Sequence, residues 1–190
     1  MPYFNFLPPD GTVRHVMMNQ PERYLPIGGI FTQNVLRGPS PFTVAERELI
    51  AAYVSGLNQC QYCHGAHKAF AVDNGVDPAL FESLMTDIDA APVAAKMKPV
   101  LRYVKKLTLA PSRMTQADAD AVFAAGWDEQ ALGDAVAVCA LFNFFNRIVE
   151  GHGVRGTDAI WARATRMIRE TGYETFLKQA AAERAARAGE

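Results

Sequence analysis

Apolar residues recur every three to four positions along most of the chain after residue 43, which is the spacing of one face of an α-helix. Thr43 and Glu46 form a capping-box pattern at the start of the first such segment. Asn58 is expected to cap a second helix, which carries two cysteines and stops at Asn74-Gly75. The opening pattern therefore predicts two consecutive helices joined by a short connection.

Proline, glycine and capping residues divide the rest of the chain into further helices. A short one is expected after Asp77-Pro78, and the others are predicted over residues 100–109, 115–125, 129–150, 157–171 and 173–188. The helix over 129–150 contains AVAVCALFNFF, which is apolar on every side and indicates a buried central helix. No strand or hairpin pattern occurs, so the predicted fold class is all-α.

The length of 190 residues suits a single all-α domain over residues 1–190. Residues 1–41 are rich in proline and glycine and predict an irregular N-terminal arm with one short helix near 30–36. The cysteine-bearing core is expected over about 42–110 and a second helical half over about 115–190. Because the arm is irregular yet apolar, a second copy of the chain is expected to cover it, which predicts a homo-oligomer.

Composition and charge narrow the classes of partner. There are 19 Lys and Arg against 20 Asp and Glu, a net charge of -1 with no basic excess to bind nucleic acid. The N-terminus lacks a signal-peptide pattern, and no run of about 18 apolar residues predicts a membrane span. We therefore expect a cytoplasmic protein with no membrane partner. In that reducing compartment, a cysteine pair is more often catalytic or metal-binding than a structural disulfide.

The segment Cys60-Gln-Tyr-Cys63-His64-Gly-Ala-His67 carries the most chemical information. On a helix, Cys60, Cys63 and His67 lie at i, i+3 and i+7 and share one face. The helix N-terminus and the neighbouring imidazole are expected to favour the thiolate form. A second cysteine can then resolve a sulfenic acid into a disulfide. The segment thus predicts a redox or peroxidatic site.

Glu48, twelve residues before Cys60-x-x-Cys63-x-x-x-His67, completes a pattern that resembles the alkylhydroperoxidase D-like proteins of the carboxymuconolactone decarboxylase-like superfamily. The surrounding GPSPFTVAERELIAAYVSGLNQCQYCHGAHKAF is similar to the peroxidase-related branch. The resemblance is strong over residues 38–75 and extends more weakly over 21–153. It implies an all-α fold in which a two-helix hairpin carries the site, reduction of a small hydroperoxide by a dithiol, a dithiol or protein reductant, homo-oligomeric assembly and no bound cofactor.

Carried over by position, the resemblance makes Cys63 the peroxidatic thiol, Cys60 the resolving thiol, and Glu48 with His67 a proton relay. Tyr62 stands where characterised members have a second histidine. A phenol can donate a hydrogen bond but is a poor base near neutrality, so Tyr62 is expected to support the site by packing.

The helix pattern of the first segment agrees with a role for Glu48. Glu48 shares a face with Ala52 and Ser55, whose small side chains would let the cysteine helix approach closely. A partly buried carboxylate there, with a raised pKa, could act as a general base. Glu46 is instead explained by the capping box.

Other interpretations of the cysteine segment remain open. It could form a zinc site, with a fourth ligand from His15, His64, His152 or Cys139, or it could match a c-type haem attachment pattern. The cysteines could also be inert core residues. At the level of function, the alternatives are a lactone decarboxylase-type enzyme and a non-catalytic helical oligomer whose cysteines bind metal or sense redox state.

The remaining polar and aromatic residues near these helices are assigned to structure. Cys139, Phe142, Phe144 and Phe145 are expected in the core, and His64 is expected at the solvent or at a subunit contact. Asn143, Asn146 and Arg147 are expected to satisfy neighbouring polar groups of the buried helix.

Overall fold

The structure is a computed structural model that describes residues 2–175 together with Lys178 and Ala182. This part of the chain is helical and contains no strand. The helix predicted over 173–188 falls almost wholly outside it. The α-helices are α1 (Val13–Asn19), α2 (Pro21–Leu25), α3 (Thr32–Arg37), α4 (Val44–Leu57), α5 (Gln61–Asp73), α6 (Leu80–Thr86), α7 (Met97–Leu109), α8 (Gln116–Ala124), α9 (Glu129–Gly151) and α10 (Asp158–Thr171).

The prediction of an irregular N-terminal arm over 1–41 is wrong for most of its length. From residue 13 to residue 37 the chain is almost continuously helical, with a π-helical segment at Pro26–Phe31 between α2 and α3. Pro21 begins α2, where the missing N–H costs nothing, and Pro26 lies where α2 passes into the π-helical segment. Gly28 is required for packing, because a Cβ there would lie 2.2 Å from the sulfur of Met17.

The capping patterns of the longer helices are confirmed. The Thr43 side chain accepts a hydrogen bond from the Glu46 backbone, while Glu46 accepts one from the Thr43 backbone N–H at 2.8 Å. Asp128 caps α9 by accepting from the backbone N–H of Ala131 at 2.8 Å. These ends are set by residues three apart, which is why sequence alone locates them.

The cysteine helix begins later than expected. Cys60, not Asn58, is the N-cap residue of α5, and Asn58 ends α4. Gln59 lies between them with a φ of 56°, so the chain reverses direction within three residues. The Asn58 side-chain amide does not cap α5. It donates instead to Asn143 and Asn146 of α9.

Helix α9 lies at the centre of the packing, against α3, α4, α5 and α7, while α10 covers α5. By length and composition, α9 is also the one described helix that could cross a membrane. In this structure many of its apolar residues, among them Cys139 and Phe142, are buried in the protein core, whereas Phe144, which was expected there, is half-buried. The thiol segment is therefore enclosed by α4, α9 and α10.

Candidate active site

The two cysteines lie where α4 turns into α5. Cys60 precedes the helix and Cys63 belongs to its first turn, and both side chains are buried as free thiols. The hydrogen bond between the Cys60 and Cys63 side chains, together with burial, raises the pKa of Cys63 well above its ordinary value. The expectation that Cys63 is held as a thiolate is therefore wrong: the neighbouring thiol and the loss of water favour its protonated form.

Glu48 is completely buried in α4 and binds three side chains. His67 Nδ1 lies 2.6 Å from Glu48 Oε2, Arg37 lies 2.6 Å from Oε1, and the Tyr173 hydroxyl donates to Oε1 at 3.1 Å. Burial alone would raise the pKa of Glu48, but the charge and hydrogen bond of His67 and the Arg37 guanidinium together lower it. The expectation of a partly buried carboxylate with a raised pKa is thus corrected on both points, and Glu48 is ionised.

Arg37 and Tyr173 are functional-site residues that sequence reasoning missed. The Arg37 guanidinium lies 5.1 Å from the centre of the Tyr173 ring, so the two also contact each other. Burial and the neighbouring Glu48 charge raise the pKa of Tyr173 well above its usual value, which keeps the phenol a donor. No sequence spacing joins these residues to Glu48, because one ends α3 and the other follows α10.

An apolar cavity of about 90 Å³ adjoins the thiol site, and we call it the thiol cavity. Its wall includes Cys63 and His67, and also Phe142 and Phe145, which sequence analysis assigned to the core. Both rings are indeed buried, so each belongs to the core and also forms part of the cavity wall. The arrangement places a thiol and an imidazole on one small, water-poor space.

Tyr62 also lines the thiol cavity. Its hydroxyl accepts from the backbone N–H of Val13 at 3.4 Å, and its carbonyl accepts from Trp161 Nε1 at 3.1 Å. Burial raises the pKa of Tyr62 to about 12, so the phenol stays neutral and is no proton acceptor at physiological pH. This environment fits packing beside the thiols.

A chain of amide and hydroxyl groups lies behind the cysteines. Asn58 donates to Asn146 Oδ1 at 2.9 Å, and Asn146 Nδ2 donates to Ser55 Oγ at 3.0 Å. A hydrogen bond from Asn146 also acts on Cys63, where it lowers the thiol pKa against the opposing effects of Cys60 and burial. The predicted structural role of Asn146 is therefore accompanied by contact with the thiol site.

The side chains considered as a fourth metal ligand lie elsewhere. His64 is half-buried, with its Nδ1–H donating to the Ala52 carbonyl at 2.9 Å, and its place at a subunit contact stays a prediction. His15 bonds the backbone of its own helix start, His152 bonds the Ile148 carbonyl, and Cys139 is buried beside Thr108. Within the described part of the chain, no three His, Cys, Asp or Glu side chains are grouped to hold a metal ion.

Comparison with known proteins agrees with this fold. Residues 30–106 match the carboxymuconolactone decarboxylase family model, whereas no curated protein matches the chain. An uncharacterized peroxidase-related protein from Silicibacter sp. TM1040 is 26% identical, covers 78% of each chain and gives a TM-score of 0.72. A second, from Ralstonia eutropha JMP134, described as an alkylhydroperoxidase AhpD core, is 22% identical with a TM-score of 0.71, covers 79% of this chain and 78% of its own, and shows the shared fold. The chain is therefore similar in sequence, over residues 30–106, to the carboxymuconolactone decarboxylase family, and in fold to these peroxidase-related proteins.

Proposed function

We propose that this protein is a thiol-dependent peroxidase that reduces hydroperoxides with Cys63 and Cys60. The observation that carries the proposal is the shared wall of the thiol cavity, where Cys63 and His67 meet, with His67 held by the ionised Glu48. A carboxylate that fixes one imidazole nitrogen and leaves the other for a thiol is an arrangement suited to activating a nucleophile. The helix pair α4 and α5 would thus carry the site.

The reaction proceeds in two balanced steps. His67 takes the proton of the Cys63 thiol, and the thiolate sulfur attacks the outer oxygen of the hydroperoxide. The S–O bond forms, the O–O bond breaks, and the departing alkoxide takes the proton from His67 and leaves as an alcohol. Cys60 then gives its proton to the sulfenic hydroxyl and attacks the Cys63 sulfur, so that a disulfide forms and water leaves.

Because the pKa of Cys63 is raised, its thiol needs a base such as the proton relay. A thiol that is mostly protonated needs a base at the moment of attack, and general acid–base groups typically contribute about 100- to 10,000-fold. Because Glu48 is held ionised by Arg37 and His67, it can stabilise the imidazolium that forms transiently. An external dithiol or protein reductant, available in the cytoplasm, then restores the two thiols.

The proposal is tested by single turnover of the reduced protein. One equivalent of cumene hydroperoxide should remove two free thiols and form a Cys60–Cys63 disulfide seen by mass spectrometry. Cys63→Ser should abolish the reaction, whereas Cys60→Ser should stop at a Cys63 sulfenic acid that dimedone traps. Cys139→Ser is the matched control and should react like the native protein, since Cys139 lies in the core beside Thr108.

An unchanged thiol count in the native protein would overturn the proposal. Trapping on Cys60 rather than Cys63 would reverse the two assigned roles. Metal retained in stoichiometric amount by the purified protein would favour the alternative of a metal-binding oligomer.

A further inference from the structure

A second cavity of about 310 Å³ lies next to the thiol cavity, and we call it the vestibule. The two cavities share Val13, Tyr62, Ala164 and Met167 as wall residues, so they are adjacent. The thiol cavity is small and almost wholly apolar, so it cannot stabilise a charged end of a substrate. The charged end of a larger molecule would have to occupy the vestibule.

Two arginines border the vestibule. Arg14 and Arg163 belong to its wall together with His15, and no carboxylate is among its described lining residues. Within the described part of the chain, Arg163 makes no ion pair, in contrast to Arg169 on the same helix, which binds Asp73. The backbone N–H of Thr12 donates to His15 Nδ1 at 3.0 Å, which leaves Nε2 as the hydrogen-bearing nitrogen of the neutral ring.

The lining of the two adjacent cavities therefore differs: it is apolar beside the thiols and carries two arginines in the vestibule. Phe142, Phe145 and Met167 form apolar walls of the thiol cavity, which disfavour a small, strongly hydrated peroxide. Arginine presents a planar donor fork that matches a carboxylate. A ligand with a hydroperoxide on an apolar chain and a carboxylate at its other end would satisfy both regions.

Resting on the proposed peroxidase function, we propose that the vestibule binds the carboxylate of an amphiphilic organic hydroperoxide through Arg163, with Arg14 adding positive charge. The hydroperoxide group then enters the thiol cavity beside Cys63. The reaction is the one given above: the O–O bond breaks, two thiols become a disulfide, and the products are a hydroxy acid and water.

The test compares linoleic acid hydroperoxide with its methyl ester, which differ only in the charge of the head group. Single-turnover rates are measured on the reduced protein below the concentration at which either compound forms micelles, with cumene hydroperoxide as a neutral reference. We expect the acid to react about fivefold faster than the ester, as an accessible ion pair allows, and the ratio to fall as salt is raised.

Variants at the vestibule test the head-group contact through the ratio of the acid rate to the ester rate. This ratio is the same whatever fraction of the protein is active. Arg163→Gln should bring the acid-to-ester ratio to about one, and Arg163→Lys should restore part of it. Arg166→Gln is the matched control, because Arg166 is an exposed arginine of α10 that borders neither cavity, and it should keep the native ratio.

The outcomes separate the two proposals. If none of the three hydroperoxides oxidises the thiols, the peroxidase function itself fails. If cumene hydroperoxide reacts but the acid and the ester react equally in the native protein, peroxidase activity stands and the vestibule proposal is wrong. An equal loss of the ratio in Arg166→Gln and Arg163→Gln would also contradict it, because general surface charge would then explain the preference.

Discussion

His67 Nδ1 lies 2.6 Å from Glu48 Oε2, and this contact decides which nitrogen of the imidazole faces the chemistry. The ionised carboxylate can only accept, so Nδ1 carries a hydrogen and Nε2 is left for the thiol cavity. A buried ion network around a single carboxylate thereby orients a base that lies one helical turn from Cys63.

Glu48→Gln should slow disulfide formation by at least about tenfold in single turnover, because glutamine cannot stabilise the imidazolium. The measurement is the rate of thiol loss in a quenched-flow experiment. Glu46→Gln is the matched control on the same helix: it should cost less than about 1 kcal/mol of stability, because glutamine can still accept the capping-box hydrogen bond, and leave the rate unchanged. Equal slowing by the two variants would mean that Glu48 has no special part in the reaction.

The same carboxylate should make stability depend on acid pH. Because the pKa of Glu48 in the folded protein is lowered from 4.5, its stabilisation is fully present above about pH 4.5 and is lost as the pH falls through the lower folded value. At pH 7, Glu48→Gln should destabilise by about 3 kcal/mol, since it leaves Arg37 without its partner. Urea unfolding from pH 7 to pH 3 checks this.

The difference in unfolding free energy between the native protein and Glu48→Gln should narrow below pH 4.5. A difference that stays constant down to pH 3 would contradict the assignment of an ionised Glu48. Glu46→Gln, measured in the same series, reports the contribution of an exposed carboxylate.

Cys60→Ser should lower the pKa of Cys63, because the neighbouring sulfur is the first cause of its raised value. Alkylation of Cys63 by bromobimane should therefore reach its half-maximal rate at lower pH in the variant than in the native protein. Mass spectrometry of fragments distinguishes the two cysteines. An unchanged midpoint would indicate that burial alone, rather than the cysteine pair, sets the thiol pKa.

Gly65→Ala should destabilise the protein by about 1–3 kcal/mol, the usual cost of overpacking. A Cβ at residue 65 would lie 2.2 Å from the Trp161 ring, whose Nε1 donates to the Tyr62 carbonyl beside the thiols. Thermal unfolding measures the loss, and Trp161 fluorescence reports the displaced ring.

The matched control for this packing test is Gly133→Ala in α9, where an added Cβ meets no atom within 4 Å. That change should be neutral or stabilise by about 0.5–1 kcal/mol, since alanine is the better helix former. If both substitutions changed the stability equally, the close approach of α5 and α10 at Gly65 would not be the cause of the loss.

The homo-oligomer expected from the sequence stays a prediction. Exposed apolar residues in the first part of the chain are candidates for the contact between copies. Tyr3, Phe4, Phe6, Ile30 and Phe31 are exposed although they are large and apolar. Light scattering should return a mass that is a multiple of 20.8 kDa. A mass of one chain throughout a dilution series would contradict it.

Substituting Ile30 and Phe31 by Glu should shift that mass downward, because charges would replace the apolar surface. Leu109→Glu is the matched control, since Leu109 is exposed and apolar at the distant end of α7. Dissociation by Leu109→Glu alone would place the contact elsewhere.

The sequence by itself determined the helices whose ends depend on neighbours a few residues away. The capping box of Thr43 and Glu46 and the cap at Asp128 are local hydrogen bonds, so their positions follow from the sequence. The spacing of Cys63 and His67 also placed both on one face of α5, whereas Cys60 precedes the helix as its N-cap. Prolines misled the prediction for residues 1–41 because the same residue can begin a helix or break one.

Only the tertiary structure decided the electrostatics of the site. Arg37 and Tyr173 reach Glu48 from elements far apart in the chain, and they reverse the pKa shift that burial alone would produce. The contact between the two thiols, together with burial, likewise raises the pKa of Cys63. Local sequence determines hydrogen bonds within a turn, whereas the energy of a buried charge depends on every group packed around it.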